Sequence, residues 1–268
     1  MAAKYHMDGV EIRSVWEKNP HEMETKKIGL IKKIVDDYGL AVCGLSAPFF
    51  KCDLDDADNI RQHMDILQKS IDIAHEWDTN IIRGFTFWRK GNFEENLERI
   101  MQKFEAVVPI LERENVILVL ESDPSVFATN AQRLVQVIEG VDHPCVRALW
   151  DPGNDMYDPE GEQPFPTGYE KIKPYMRHMH LKDAKRYNGE SVATPLGKGD
   201  VDYESHFIQL VEDDYQGYVV LETHYCAQNT LDETLLALPK GSEFSYLGYE
   251  ATEESLINWN MILKKVVL

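Results

Sequence analysis

A (β/α)8 barrel, apparently lacking its first strand and most of its first helix, is the fold class this sequence predicts. Three observations carry the prediction. Short apolar, β-branched runs alternate with longer runs of helical period, the pattern of repeated βα units on a parallel sheet. The chain has 268 residues and 43% apolar composition, enough for one large core, so residues 1–268 read as a single barrel domain. No GxGxxG turn follows the first strand, which argues against the doubly wound alternative.

Seven strand candidates follow in order: Gly9–Arg13, Leu40–Ser46, Asn80–Phe87, Val116–Glu121, Arg147–Asp151, His178–Lys182 and Tyr218–Thr223. Met1–Asp8 reads as the tail of a helix leading into the first of them, so a barrel strand is missing before Gly9. Two unpaired sheet edges would be an aggregation hazard. We therefore expect an N-terminal truncation or a misassigned start, with an open, non-catalytic barrel subunit as the competing reading.

Between the strands, Ile60, Met64, Leu67, Ile71 and Ala74 recur at helical spacing. So do Leu97, Ile100, Met101, Phe104, Val107 and Leu111, with Pro109 expected to kink that helix. Gly39, Gly140 and Gly217 read as helix stops. A last helix, about Thr252–Lys265, turns Leu256, Trp259, Ile262 and Leu263 inward. The long connection Tyr225–Glu250, with Phe244, Tyr246 and Tyr249, is expected to form an ordered lid or a subunit contact.

Bulk charge narrows the function classes. Lys and Arg number 28 against 46 Asp and Glu, a net charge of −18, and the lysine pairs are too short to make a basic stripe, so nucleic acid is not an expected partner. The four cysteines, Cys43, Cys52, Cys145 and Cys226, form no CxxC pair, which fits a reducing cytoplasm better than a disulfide framework. No secretory signal or run of eighteen apolar residues is present, so a membrane partner is not expected either. A homo-oligomer is expected.

The chemistry gathers where apolar runs end in polar residues, because the C-terminal strand ends of such a barrel carry the functional groups. "VILVLESD" ends in Glu121, "RALWDPGN" in Asp151, "RHMHLKD" reaches His180 and "YVVLETHY" ends in Glu222. The intervals between them are each about one βαβ unit, roughly 30 residues or more, so the four groups can meet at one mouth. Alone, each reads as a helix cap or an ion-pair partner; four in successive units read as a site. Three carboxylates and one imidazole suit a hard to borderline divalent cation, Mn2+ first, with Mg2+ or Co2+ as alternatives. Without a cation, like charges so close would push a carboxyl pKa sharply upward.

"GVEIR", "LES", "WDPGN", "HMHLKDA", "PLGKGDVDY" and "GYVVLETH" together resemble the strand-end motifs of the xylose isomerase-like TIM barrel superfamily, the sugar phosphate isomerase/epimerase group. The resemblance runs from Gly9 to the C-terminus and rests on the order and spacing of the motifs. It implies metal ligation by Glu121, Asp151, His180 and Glu222. By likeness to the ketose 3-epimerases of that group, Glu121 and Glu222 also become the proton-transferring pair. Two positions depart from the epimerase pattern: Asn154 stands where those enzymes carry a histidine, and Phe127 where they carry a second glutamate. The implied activity is isomerisation or epimerisation of a sugar or polyol by proton abstraction beside a chelated carbonyl. A dehydratase or lyase acting on a polyhydroxy acid is the rival. A nuclease like endonuclease IV, also in the superfamily, is opposed by Asn154 and by the net charge.

Around this set, Lys182 shares the face of His180 and is a candidate substrate contact, with Arg186 as a weaker one on the following loop. Trp88, at a strand exit, is a candidate stacking platform, while Trp150 should point away from Asp151. His224 shares the Glu222 face, and His178 reads as a core or supporting histidine. The Leu196–Asp200 loop is short for a phosphate cradle, so a tight turn before an Asp-capped helix is expected.

Overall fold

A computed structural model describes residues 1–158, 161–226 and 247–266. Seven parallel strands form a nearly closed barrel: β1 (Gly9–Ile12), β2 (Ala41–Phe49), β3 (Ile81–Gly84), β4 (Ile117–Glu121), β5 (Val146–Trp150), β6 (Met176–Leu181) and β9 (Tyr218–Leu221). They lie in the order β1-β2-β3-β4-β5-β6-β9, so the seam falls between the first and the last. The turn Ala2–Tyr5 precedes β1. Its Lys4 and Tyr5 reach Glu253 Oε1 at 2.5 Å and 2.8 Å, tying this segment to the last helix.

Each strand candidate coincides with a barrel strand, shifted only at its ends. The strands are largely apolar because they are covered on both faces. Leu118, Val119, Leu120, Ala148, Leu149 and Trp150 are all fully buried. Helices coat the outside with one apolar stripe each: α1 (Thr25–Asp37), α2 (Ala57–Glu76), α3 (Phe93–Glu105), α4 (Val108–Glu114) and α5 (Ala131–Val141). Short α6 (Pro152–Asp155) and α7 (Tyr169–Ile172) follow, then α8 (Tyr203–Glu212) and α9 (Gly248–Val266). In α2 the inward stripe is Leu67, Ile71 and Ala74. Burying such a leucine or isoleucine side chain contributes about 1.5–3 kcal/mol. Side-chain caps mark the starts: Asn92 accepts from Glu95 N, Asn130 from Arg133 N and Asp202 from Ser205 N, each at 3.0 Å.

Three sequence expectations need correction. The run containing Pro109 is two helices, not one kinked one. Proline stands in the first turn of α4, where its missing N–H deprives the helix of nothing. Gly140 lies inside α5, which ends at Asp142 in a left-handed conformation (φ 45°). A Cβ at Gly140 would sit 1.9 Å from Met101 Sδ, so glycine there lets α3 and α5 approach. Gly217 likewise serves close packing, since a Cβ there would lie 2.7 Å from the Arg177 carbonyl oxygen; the chain reverses earlier, at Asp214 (φ 50°). Gly39, with φ 67°, does follow α1 as expected.

The sequence reading missed an antiparallel hairpin, β7 (Asp183–Tyr187) and β8 (Glu190–Thr194), turned at Asn188-Gly189. Of the expected lid, Phe244 and Tyr246 lie outside the described residues, and Tyr249 stands exposed in the first turn of α9. Among the described residues, no helix is long and apolar enough to cross a membrane.

Candidate metal centre

Strand alternation aims the site. Glu121 is the last residue of β4, Asp151 follows β5, His180 lies near the end of β6, and Glu222 follows β9. One ligand atom from each of the four lies within 4.8 Å of every other. That is close to the span across a single octahedral ion, about 4.2 Å for ligand bonds near 2.1 Å.

The bonding of these atoms shows how the set is aimed. Asp151 Oδ1 accepts from the backbone N–H groups of Gly153 and Asn154 at 2.9 Å and 3.1 Å, which leaves Oδ2 facing the cluster. Glu121 Oε2 pairs with Arg83 Nη1 at 3.0 Å, and Oε1 accepts from Asn154 Nδ2 at 3.0 Å. Three buried atoms, Asp151 Oδ2, His180 Nδ1 and Glu222 Oε2, converge here, and both carboxylate oxygens are ion-paired to Lys182 Nζ. His180 Nδ1 stands 3.6 Å from Glu121 Oε1 and 3.5 Å from Glu222 Oε2. Three carboxylates and an imidazole nitrogen gathered so closely in a buried site offer the donors that a divalent ion takes. The donor set therefore fits a divalent ion.

Lys182 supplies the nearest positive charge. Its Nζ forms ion pairs with Asp151 Oδ2 at 2.9 Å and Glu222 Oε2 at 2.8 Å, and donates to Asn154 Oδ1 at 3.0 Å. Burial alone would lower its pKa, but Asp151, Glu222 and Glu121 together raise it. Burial pushes Asp151 upward, and the neighbouring Glu121 and Glu222 add to that against the pull of Lys182. Glu121 is opposed by burial yet held below the usual carboxylate range by Arg83 and His180. Glu222, whose side chain is 22% exposed, is likewise held well down against burial by Lys182 and His224. Among the three carboxylates Asp151 alone is pushed upward, chiefly by burial, while Arg83 and His180 hold Glu121 down and Lys182 and His224 hold Glu222 down.

The other sequence candidates differ in their contacts with this cluster. His224 Nε2 is 3.3 Å from Glu222 Oε1. Trp88 is half-buried on the loop after β3, its ring 5.3 Å from Lys51 Nζ, which in turn pairs with Asp123 at 2.9 Å. Arg186 is exposed on β7 and donates its guanidinium to the Met156 carbonyl at 2.8 Å, so its contacts lie with the hairpin and not with the four ligand atoms. Trp150 points outward as expected, its Nε1 donating to His206 Nε2 at 3.4 Å. In the Leu196–Asp200 loop, the N–H groups of Gly197 and Gly199 bind Asp183 Oδ2 at 2.8 Å and 2.9 Å, so they are already engaged.

Sequence reasoning missed Glu11, Arg83 and Ser46. Glu11 on β1 accepts from His178 Nε2 at 2.6 Å and from His180 Nε2 at 2.8 Å through one oxygen, and Ser46 Oγ bonds the other. Arg13 shares the Glu11 face one step nearer the mouth, and its pKa is lowered by burial and then by Arg83. The available signal was a charged residue inside an apolar strand, in "GVEIR" and again in "IIRG", since such groups are seldom buried without a partner.

Known proteins share this framework. An inosose dehydratase from Bacillus velezensis is 25% identical over 205 residues, covering 68% of this chain and 67% of that protein. A D-psicose 3-epimerase from Clostridium cellulolyticum H10, solved with D-tagatose, is similar with a TM-score of 0.72 at 16% identity, over 99% of this chain and 91% of that one. A xylose isomerase-like TIM barrel protein from Mycobacterium smegmatis, in complex with magnesium, has a TM-score of 0.66 at 19% identity, over 84% and 79%. At these identities the two structures speak for the fold alone. A profile of the xylose isomerase-like TIM barrel family matches residues 1–240, and the chain belongs to that family.

Proposed function

We propose that this protein is a divalent-metal-dependent isomerase or epimerase of a sugar or related polyol. The observation that carries the reading is the convergence of one ligand atom each from Glu121, Asp151, His180 and Glu222, all within 4.8 Å of one another. These four residues would hold the ion, and their oxygen-rich set favours Mn2+, with Mg2+ or Co2+ also suited. When bound, such an ion supplies Lewis-acid polarisation of a carbonyl and its neighbouring hydroxyl, which acidifies the adjoining C–H.

The chain's own groups would handle the proton. Glu121 and Glu222 are both held ionised by neighbouring cations, so each is able to accept a proton at a carboxylate oxygen. They come from β4 and from the loop after β9, three places apart in the sheet order, a separation that supports one acting on either side of a substrate seated between them. Lys182, between Asp151 and Glu222, is positioned to donate to a substrate oxygen as charge develops there. Arg83 restrains Glu121, and Asn154 links Glu121 to Lys182. Trp88, His224 and Arg186 are the proposed outer substrate contacts.

Dehydration of a related polyhydroxy compound is the second reading, favoured by the inosose dehydratase likeness, and it needs the same first proton abstraction. Incubation of the Mn2+-loaded protein in D2O with a panel of ketoses, inososes and sugar acids separates the two. Deuterium entering at the carbon beside the carbonyl, with the carbon skeleton and its oxygens kept, supports isomerase or epimerase chemistry. Loss of water replaces it with the dehydratase reading, and absence of either from a metal-loaded protein across the panel overturns both.

A further inference from the structure

We infer that Glu11 is a positioning residue for the metal centre: its carboxylate fixes the ring orientation and proton placement of His180 so that Nδ1 presents a lone pair to the ion. The inference rests on the metal reading above. Its basis is a three-residue arrangement between β1 and β6, where one carboxylate oxygen, Glu11 Oε2, receives both His178 Nε2 at 2.6 Å and His180 Nε2 at 2.8 Å. An ionised carboxylate only accepts hydrogen bonds, so both Nε2 atoms carry their protons. With Nε2 so engaged, Nδ1 is the ring nitrogen left to take a cation, and it exchanges its own proton for that cation on binding. His180 Nδ1 is also the atom that faces Glu121 Oε1 at 3.6 Å and Glu222 Oε2 at 3.5 Å.

Glu11, His178 and His180 also form a group close enough to consider as a second metal site. The distances decide against it. Ligands around a tetrahedral zinc at about 2.0–2.1 Å stand roughly 3.3 Å apart. The observed 2.6 Å and 2.8 Å are lengths of charge-assisted hydrogen bonds. The carboxylate is itself anchored, because Ser46 Oγ on β2 bonds Glu11 Oε1, and the Glu11 and His180 side chains are 6% and 2% exposed. A carboxylate that donates charge through an imidazole to a metal raises the ligand's basicity and removes its rotational freedom. His178 completes the cradle on the far side of the same oxygen and makes the carboxylate a two-histidine clamp.

Two substitutions separate charge from hydrogen bonding. Glu11→Gln keeps the shape and one acceptor but loses the charge; Glu11→Met loses both. Titration of the metal-free proteins with Mn2+, followed calorimetrically, is expected to give binding about 10-fold weaker for Glu11→Gln and about 100-fold weaker for Glu11→Met. The second readout is 15N NMR of histidine-labelled, Zn2+-loaded protein. Wild type should show His180 coordinated through Nδ1 with a protonated Nε2, and Glu11→Met should lose that signature. His178→Gln leaves the Glu11–His180 bond in place and is expected to weaken Mn2+ binding by no more than about threefold. Should Glu11→Met fail to fold, Glu11→Gln against His178→Gln carries the comparison. Wild-type affinity and an unchanged His180 signature in the Glu11 variants would overturn the positioning role, as would equal losses in the Glu11 and His178 variants. Failure of the wild type to bind Mn2+ is a separate result, because it overturns the metal reading itself.

Discussion

Replacing Lys182 with methionine should destabilise the metal-free protein strongly and the metal-loaded protein hardly at all. The ammonium sits 2.9 Å from Asp151 Oδ2 and 2.8 Å from Glu222 Oε2 in a residue that is 4% exposed. At an effective dielectric of 20, each of those contacts corresponds to about 6 kcal/mol of attraction, before the desolvation of the ammonium is subtracted. The loss does not reach that sum, because a carboxylate has a less costly escape. Protonating an ordinary aspartate at pH 7 takes about 4 kcal/mol, so the penalty is capped near that value. We therefore expect Lys182→Met to lower the stability of the metal-free protein by about 3–4 kcal/mol, or roughly 10 °C in melting temperature. A bound divalent ion supplies the missing charge, so saturating Mn2+ should stabilise the variant far more than it stabilises the wild type. Urea denaturation and calorimetric melting with EDTA and with Mn2+ measure both quantities. A variant that melts with the wild type in EDTA, or that gains no more than the wild type from Mn2+, would refute the reasoning.

Glu121→Gln and Glu222→Gln should each reduce solvent deuterium exchange into a responsive substrate by about 10²-fold or more, read by mass spectrometry; near-normal exchange in either removes that glutamate from proton transfer. Buried His206 accepts from Trp150 and donates through Nδ1 to the Asp202 carbonyl at 2.8 Å, and burial pushes its pKa down to about 4. Its unfolded form takes up a proton near pH 6.5 while the folded form resists until about 4. The stability it contributes is therefore present at pH 7 and lost as pH falls through that window, by about 3 kcal/mol in all. His206→Phe should flatten the pH dependence of unfolding free energy between pH 4 and 6.5 relative to wild type, and an unchanged slope would contradict this. Gly153→Ala places a Cβ 2.1 Å from the Lys182 carbonyl oxygen, a backbone atom that cannot swing aside. Its unfolding free energy should fall by more than about 3 kcal/mol, and wild-type stability would show that the β5–β6 contact is looser than described.

The seven barrel strands were legible as short, largely apolar runs between stretches of helical period, and polar residues at or near the ends of four of them marked Glu121, Asp151, His180 and Glu222. The hairpin escaped because Lys185, Arg186, Glu190 and Ser191 hide its alternation, although Asn188-Gly189 is a strong two-residue turn signal. The supporting residues escaped for a different reason. Glu11 and Arg83 matter through partners on distant strands, His180 and Glu121, and no local period reports a contact between residues so far apart in the chain. Asn154 was visible only as a departure from the epimerase pattern. Its place between Glu121 and Lys182 emerges only when β4, β5 and β6 are brought side by side.

The most direct measurement of the central claim is an anomalous difference map from crystals grown with Mn2+. The account predicts one peak at bonding distance, about 2.0–2.3 Å, from carboxylate oxygens of Glu121, Asp151 and Glu222 and from His180 Nδ1. An absent peak, or one bound elsewhere with those four residues joined only to each other and to Lys182, would contradict it.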